Sequence, residues 1–277
     1  MGVGRVRRRW IVATVVVVAL VVAGLVVRRL WLTDTARRVD AQEAVAKFRD
    51  GTTSTVASGA ATSTTTPAPD MPTLPAPGVY RYRTTGHEQI DALGGTSHDY
   101  PAETTITVTA EGCGALLRWD LLRERWDELR ICATPSGIEL QPQSANYHEF
   151  YQHGERHDVV CDRGVVIVPP ESVVLPMDPV PLACTERGVT ALPEWQVLDR
   201  TTKVVDGQAV RVTHVRRTVQ DDDEYWEHVV EDWWFDDHGL PVEMAATKGN
   251  KTDSDLVGDV IYAEEYRASL ISLVPLT

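Results

Sequence analysis

The sequence predicts an all-β domain, mainly antiparallel and curved into a sheet or half-barrel, behind one N-terminal transmembrane helix. Three observations carry this expectation. Ile11 to Val27 contains no charged residue and is fenced by Arg7, Arg8 and Arg9 on one side and Arg28 and Arg29 on the other. After Gly78, apolar and polar residues alternate in many short stretches, the period of a half-buried strand. The joints between those stretches are rich in Gly, Asp, Asn and Pro, which favour tight antiparallel turns.

The uncharged run would rise about 26 Å as a helix, close to the ~30 Å hydrocarbon core of a bilayer. Trp10 and Trp31 bracket it about 31 Å apart, where aromatic belts sit. Residues 10–32 therefore read as a transmembrane helix and residues 1–9 as a cytoplasmic tail. Arginine bias does not orient the span, because Arg5, Arg7, Arg8 and Arg9 are matched by Arg28, Arg29, Arg37 and Arg38. Most of the chain follows the span, and so do all four cysteines, whose even number suits an oxidising compartment. The expected location is the cell membrane, single-pass, with the C-terminal domain extracytoplasmic. A cleaved signal peptide is the competing reading. Its apolar region is normally ~7–15 residues and ends at a small-x-small site. This run is longer and has no A-x-A after it, and the lack of a cysteine before Cys113 excludes a lipoprotein anchor.

Residues 33–50 read as a juxtamembrane helix. Thr33, Asp34 or Thr35 would cap it, Ala41 to Lys47 favours helix, and Gly51 would stop it. Ala41, Ala44, Val45 and Phe48 form a weak apolar stripe, so the segment is either a solvated stalk or a partner-binding helix, the stalk being preferred. Residues 51–77 read as a disordered Ser/Thr/Pro linker, too poor in large apolar residues to offset ordering entropy. Such a linker would hold the next domain about 30 Å off the bilayer.

Residues 78–277 are enough for one sizeable domain. The first 77 residues hold ten Lys/Arg against five Asp/Glu, net +5; the chain is −13, which leaves −18 on the domain. That charge excludes nucleic-acid binding through phosphates. It also disfavours contact between the domain and an anionic membrane through a basic patch. Tyr80 and Tyr82 share a strand face, as do Ile106, Val108 and Ala110; Leu117, Trp119 and Leu121; and Val260, Tyr262, Tyr266 and Leu270. Further strands are expected near 129–133, 164–168, 195–205, 209–219, 225–235 and 240–246. The prolines of 169–181 mark a loop. If the stretches before and after 122–125 pair, Cys113 lies beside Cys132, and Cys161 with Cys184 closes the Pro-rich insertion. Two other connectivities are formally open.

Signals for chemistry are sparse. His148, His153 and His157 precede Cys161, with Glu149 and Glu155 among them. Exposed histidines on a polar strand-and-turn are preferred over a metal site, and none is expected. Asp221 to Glu224 lacks the ligand spacing and central glycine of a calcium loop and reads as a solvated hairpin tip. No G-x-S-x-G, no phosphate loop and no free cysteine appears, so no catalytic residue is assigned and no cofactor is expected. Glu264 interrupts the apolar face between Tyr262 and Tyr266. An exposed Glu on a strand that twists outward is the preferred reading, and a polar anchor inside a pocket is the other. Trp233, Trp234 and Phe235 put aromatic residues on both faces of one strand, which implies that both faces are covered.

The hairpin from Trp233-Trp234-Phe235-Asp236-Asp237 to His238-Gly239-Leu240-Pro241 resembles one in the superfamily of LolA-like lipoprotein carriers and related actinobacterial lipid-carrying lipoproteins. The resemblance covers Val205 to Leu273. It implies a strongly curved antiparallel sheet half-wrapping an apolar cavity that holds acyl chains. The chain departs from that pattern in lacking a lipobox cysteine and a helical lid and in having an expected pair of disulfides. Gly78-Val79-Tyr80-Arg81-Tyr82 and Gly258–Pro275 also resemble uncharacterised actinobacterial single-pass membrane proteins, which implies no activity.

The expected role is non-catalytic: a membrane-tethered extracytoplasmic protein that binds or carries an apolar, lipid-like ligand. Trp119, Trp233, Trp234, Phe235, Tyr262 and Tyr266 are the candidate lining residues, with Glu264 as anchor. An envelope protein-protein interaction or sensing module is the alternative, and a hydrolase of unknown substrate is third.

Overall fold

The computed structural model describes residues 36–57, 71–221, 227–254 and 258–277. The predicted span, the middle of the linker (58–70) and Asp222 to Glu224 of the acidic tip lie outside them. Among the described residues no helix is long and apolar enough to cross a membrane.

Alternation produces strands, as expected. β1 (Gly78–Ile90) is followed by a 3-10 turn (Ala92–Gly94), β2 (Thr96–Asp99), β3 (Glu103–Glu111), β4 (Gly114–Asp120) and β5 (Arg125–Thr134). Then come β6 (Gly137–Phe150), β7 (His153–Cys161), β8 (Val165–Val168), β9 (Val180–Pro181), β10 (Cys184–Glu186) and β11 (Val189–Ala191). The last five are β12 (Glu194–Val205), β13 (Gln208–Asp221), β14 (Glu227–Asp236), β15 (Pro241–Ser254) and β16 (Gly258–Leu270). They make one sheet in the order β11-β10-β7-β6-β5-β4-β3-β1-β16-β15-β14-β13-β12-β9, with β2 added to β1 and β8 to β6. The named pairings are antiparallel, and β1 joins β16 so that the first long strand lies beside the last.

The two faces of the sheet differ. On β1, Tyr80, Tyr82, Thr84 and Glu88 are buried, whereas Arg83, Thr85 and Gln89 between them are exposed. The buried side is concave. β5 and β16 lie four positions apart in the sheet, about 19 Å if it were flat, yet Arg125 Nε donates to Glu264 Oε1 at 3.1 Å. Only a curled sheet brings them together. Trp119, Tyr266, Ile106, Phe235, Met244 and Ile167 belong to the core inside that curl. One end is bridged by β8, which pairs with β6 and lies against β12, β13 and β14.

Both disulfides form in the expected pairing. Cys113–Cys132 ties the β3–β4 turn to β5, with 5.4 Å between Cα atoms, and Cys161–Cys184 ties β7 to β10 at 3.8 Å. The proline segment is mostly loop, and Arg200 holds it by donating to the carbonyls of Pro169, Pro170 and Val173.

The helix and the linker depart from expectation. The helix, α1 (Ala41–Ala57), starts later and runs through Gly51, with Asp40 as its cap, accepting from Glu43 N at 2.8 Å. It is not a free stalk. Val39 and Ala44 pack with Val79 on the convex face, with Val45 and Phe48 beside them. Arg37 donates its main-chain N and its Nε to Glu124, and Arg123 N donates to Arg37 O at 2.9 Å. Gly51 does not end the helix, because a C-cap glycine acts through a left-handed conformation that Gly51 does not adopt. The end of the expected linker is also part of the domain. Leu74 packs on the core, Pro75 is buried, Thr73 bonds His238 at 2.8 Å, and Ala76 O accepts from the Tyr80 hydroxyl.

A chain cut at a protease site introduced within 58–70 is therefore expected to stay in one piece on gel filtration. Ala44→Glu puts a charge into a position that is 1 % exposed and should let the N-terminal fragment go. Fragments that part without that substitution would refute the docking of α1.

Candidate functional site

Toward one end of the concave face the apolar lining gives way to a belt of charge. Cross-strand register builds most of it: Arg217 lies opposite Glu231, Lys248 opposite Glu264, and Glu88 opposite both Glu264 and His98. Lys248 donates to Glu231 at 2.8 Å and to Glu264 at 3.0 Å, and Arg217 donates to Glu231 at 2.9 Å. Like charges directly opposite one another repel, so Glu88 facing Glu264 requires a counter-ion. Arg125 supplies it, 3.1 Å from Glu264 and 3.9 Å from Glu88. Its Nη atoms donate to Asp127 at 2.7 and 2.9 Å. The Tyr100 hydroxyl donates to Glu264, and that of Tyr262 to Glu88. The Nδ1 atoms of His98 and His148 lie 2.9 and 3.2 Å from the two Glu88 oxygens.

This wiring sets the proton affinities. Burial pushes Glu264 upward, but Arg125 and Lys248 outweigh it and hold the carboxyl far below the usual range. Burial also acts on Glu231, and Lys248 and Arg217 still bring it from 4.5 down to about 2. Glu88 is lowered as well: burial opposes, His148 and His98 win. Lys248 keeps its proton because Glu231 and Glu264 overcome its burial. His148 is lowered by burial and by Arg125, against the pull of Glu88.

The sequence-predicted site residues fall into three groups. Trp119, Trp233, Phe235 and Tyr266 lie on the concave face, but they are buried against one another. Trp119 meets Tyr266 edge-on at 4.8 Å, and Trp233 stacks on Phe235 at 5.7 Å. Tyr262 and Glu264 belong to the charged belt, so Glu264 is turned inward. Trp234 is separate from both groups. It points to the convex face, stacked on His214 at 4.4 Å with Lys203 Nζ 4.2 Å over the ring. Trp233 Nε1 is buried and has no hydrogen-bond partner among the described residues.

The open part of the concave face is one that sequence reasoning missed. Rows of residues run across β5, β6 and β7 in register. Leu129, Ser144 and Val159 form one row, Asp127, Asn146 and His157 the next, and Arg125, His148 and Glu155 a third. Apart from buried Arg125 and exposed Glu155, every member is partly exposed. His157 is held by Glu186, and His153 is exposed at the β6–β7 turn. Among the described residues no group of three or more His, Cys, Asp or Glu is placed to hold a metal.

The Trp-to-Pro hairpin has a structural job. Asp236 accepts from the main-chain N of His238 at 2.9 Å and of Leu240 at 2.8 Å, and Pro241 O accepts from the Tyr82 hydroxyl at 2.6 Å. Gly239 has φ +82°, and a Cβ there would lie 3.0 Å from Ile131 and Ile138 on the opposite arm. The turn thus seals the apolar end of the curl. No protein-family model, curated protein or solved structure matches this chain.

Arg125→Met leaves Glu88 and Glu264 facing one another without their shared cation, at an expected cost of about 3–5 kcal/mol in urea unfolding. A loss below about 1 kcal/mol, the value of an exposed pair, would show that the belt is not what holds the arms together. Acid should destabilise the protein over two pH windows. Below about pH 6.5 the unfolded chain protonates His148 before the folded one does. Below 4.5 it protonates Glu231 first, down to about 2. In both windows stability falls with pH, and Glu231 alone accounts for on the order of 3 kcal/mol. Asp120 and Asp236, raised by burial, act in the opposite sense. Melting temperature against pH checks this, and Glu231→Gln should flatten the lower limb.

Proposed function

We propose that this chain is a membrane-tethered extracytoplasmic binding protein, non-catalytic, whose concave sheet takes an amphipathic, lipid-like ligand. The carrying observation is the partly exposed rows on β5, β6 and β7. Leu129 and Val159, which pack on the core with one side and stay partly exposed, offer apolar surface, and Ser144 and Asn146 offer polar groups beside Asp127 and His148 of the charged belt. Elsewhere the face is filled by its own side chains or by closed ion pairs. The two disulfides support the oxidising side of a membrane.

The test is solvent extraction of the purified full-length protein and mass spectrometry of the extract. A bound amphiphile is expected, and Val159→Asp should lose it in protein that still melts cooperatively. Wild-type protein that yields nothing overturns the reading.

One observation favours a second reading, an envelope protein-protein interaction module. Val189, Leu192 and Val174 are 73, 66 and 85 % exposed on and near the β11 edge of the sheet and the proline loop. A partner captured by the wild type and lost with Val189→Asp and Leu192→Asp would favour it.

A further inference from the structure

We propose that the corner of the domain formed by the 121–124 turn and residues 37–47 rests on the headgroup layer of the membrane that holds the chain. The proposal builds on the tether read from residues 10–32. From Arg37 onward the chain is bound to the domain: Arg37 pairs with Glu124, Val39 is 3 % exposed, and Arg123 reaches Glu43 at 2.7 Å. Five residue steps separate Leu32, the end of the predicted span, from Arg37, and a chain fully extended covers at most about 18 Å in five steps. The turn between β4 and β5 cannot stand farther from the bilayer than that reach allows. The Ser/Thr/Pro segment does not set the height. It departs after α1, which is docked, and returns at Met71, next to residues packed on the core.

Charge agrees with this placement. Residues 78–277 carry −18 and would be repelled by an anionic surface. At this corner Arg37, Arg38, Lys47 and Arg123 stand against Asp40, Glu43, Glu124 and Glu149. Glu124 is buried, Glu43 is paired with both Lys47 and Arg123, and Glu149 accepts from Tyr147. The side chains of Arg37, Lys47 and Arg123 are 60, 59 and 44 % exposed. The corner is charge-balanced within an acidic body, so an anionic headgroup layer does not push it away.

All four native cysteines are in disulfides, so one introduced cysteine takes a label cleanly. Full-length Arg123→Cys or Arg38→Cys, and separately Ser136→Cys, would carry a fluorophore. The protein would be reconstituted into phosphatidylcholine–phosphatidylglycerol vesicles containing a headgroup-nitroxide lipid. Arg123 and Ser136 flank opposite ends of β5, ten residues long and so about 33 Å. Quenching several-fold stronger at 123 and 38 than at 136 is expected. Protein that floats with the vesicles after an alkaline wash but is quenched equally at all three positions overturns this placement alone. Protein that does not float overturns the tether, and the placement with it.

Discussion

One contact across the hollow, Arg125 with Glu264, ties the two arms of this curled sheet at its charged end. Their strands are separated by β4, β3 and β1, so the pair spans the concavity rather than a ladder. Intrinsic twist bends any sheet but does not fix how far it closes. A buried ion pair does, because either partner left alone in that interior is far costlier than the pair. Arg125 is 1 % exposed and Glu264 is 2 % exposed, so water cannot substitute for either. The requirement is doubled by Glu88, which faces Glu264 and shares the same cation at 3.9 Å.

The belt also fixes register. A one-residue slip of β16 against β15 would turn Glu264 to the convex side and strand Lys248, and the same holds for Arg217 and Glu231. An apolar face tolerates exchanges of similar volume; a row of paired charges does not. At the other end the arms meet by shape instead. Asp236 folds the turn, Gly239 supplies the positive φ and the missing Cβ, and Ile131 and Ile138 receive it. The residues that resemble a lipid-carrier hairpin are thus accounted for by closure of the curl.

Much of the frame was legible. Alternation marked the strands that face the core, turn residues marked their joints, and the hairpin geometry around 122–125 paired Cys113 with Cys132. Glu264 stood out as a break in an apolar face, and it proves to be the centre of the belt. Its partners did not stand out, because Arg125 lies far from it in sequence and Lys248, on the neighbouring strand, looks like an ordinary surface charge. The docking of α1 was hidden for a related reason: Val39, Ala44 and Val79 form a small contact, and a weak apolar stripe alone does not show what it covers. Trp234 misled because consecutive aromatic residues on a strand must point to opposite faces, and the convex face covers its own with His214 and Lys203.

β6 and β7 were the hardest elements to foresee, and for a reason tied to what they pack against. A strand packed on a core must place apolar residues at every second position, and that period is what sequence reading detects. Asn146, His148, Glu155 and His157 fill those positions on β6 and β7 instead. Such a strand cannot pay for its own ordering by burying apolar surface. It is held by its ladder to β5, by the Cys161–Cys184 bridge and by polar contacts such as that of His157 with Glu186. Ile138 and Leu140 still pack in the core, but over residues 144–148 and 155–159 the inner face stays partly open and chemically mixed. The absence of an apolar period and the presence of an accessible polar row have the same cause, which places the exposed half of the concave surface on the strands that pattern reading passed over.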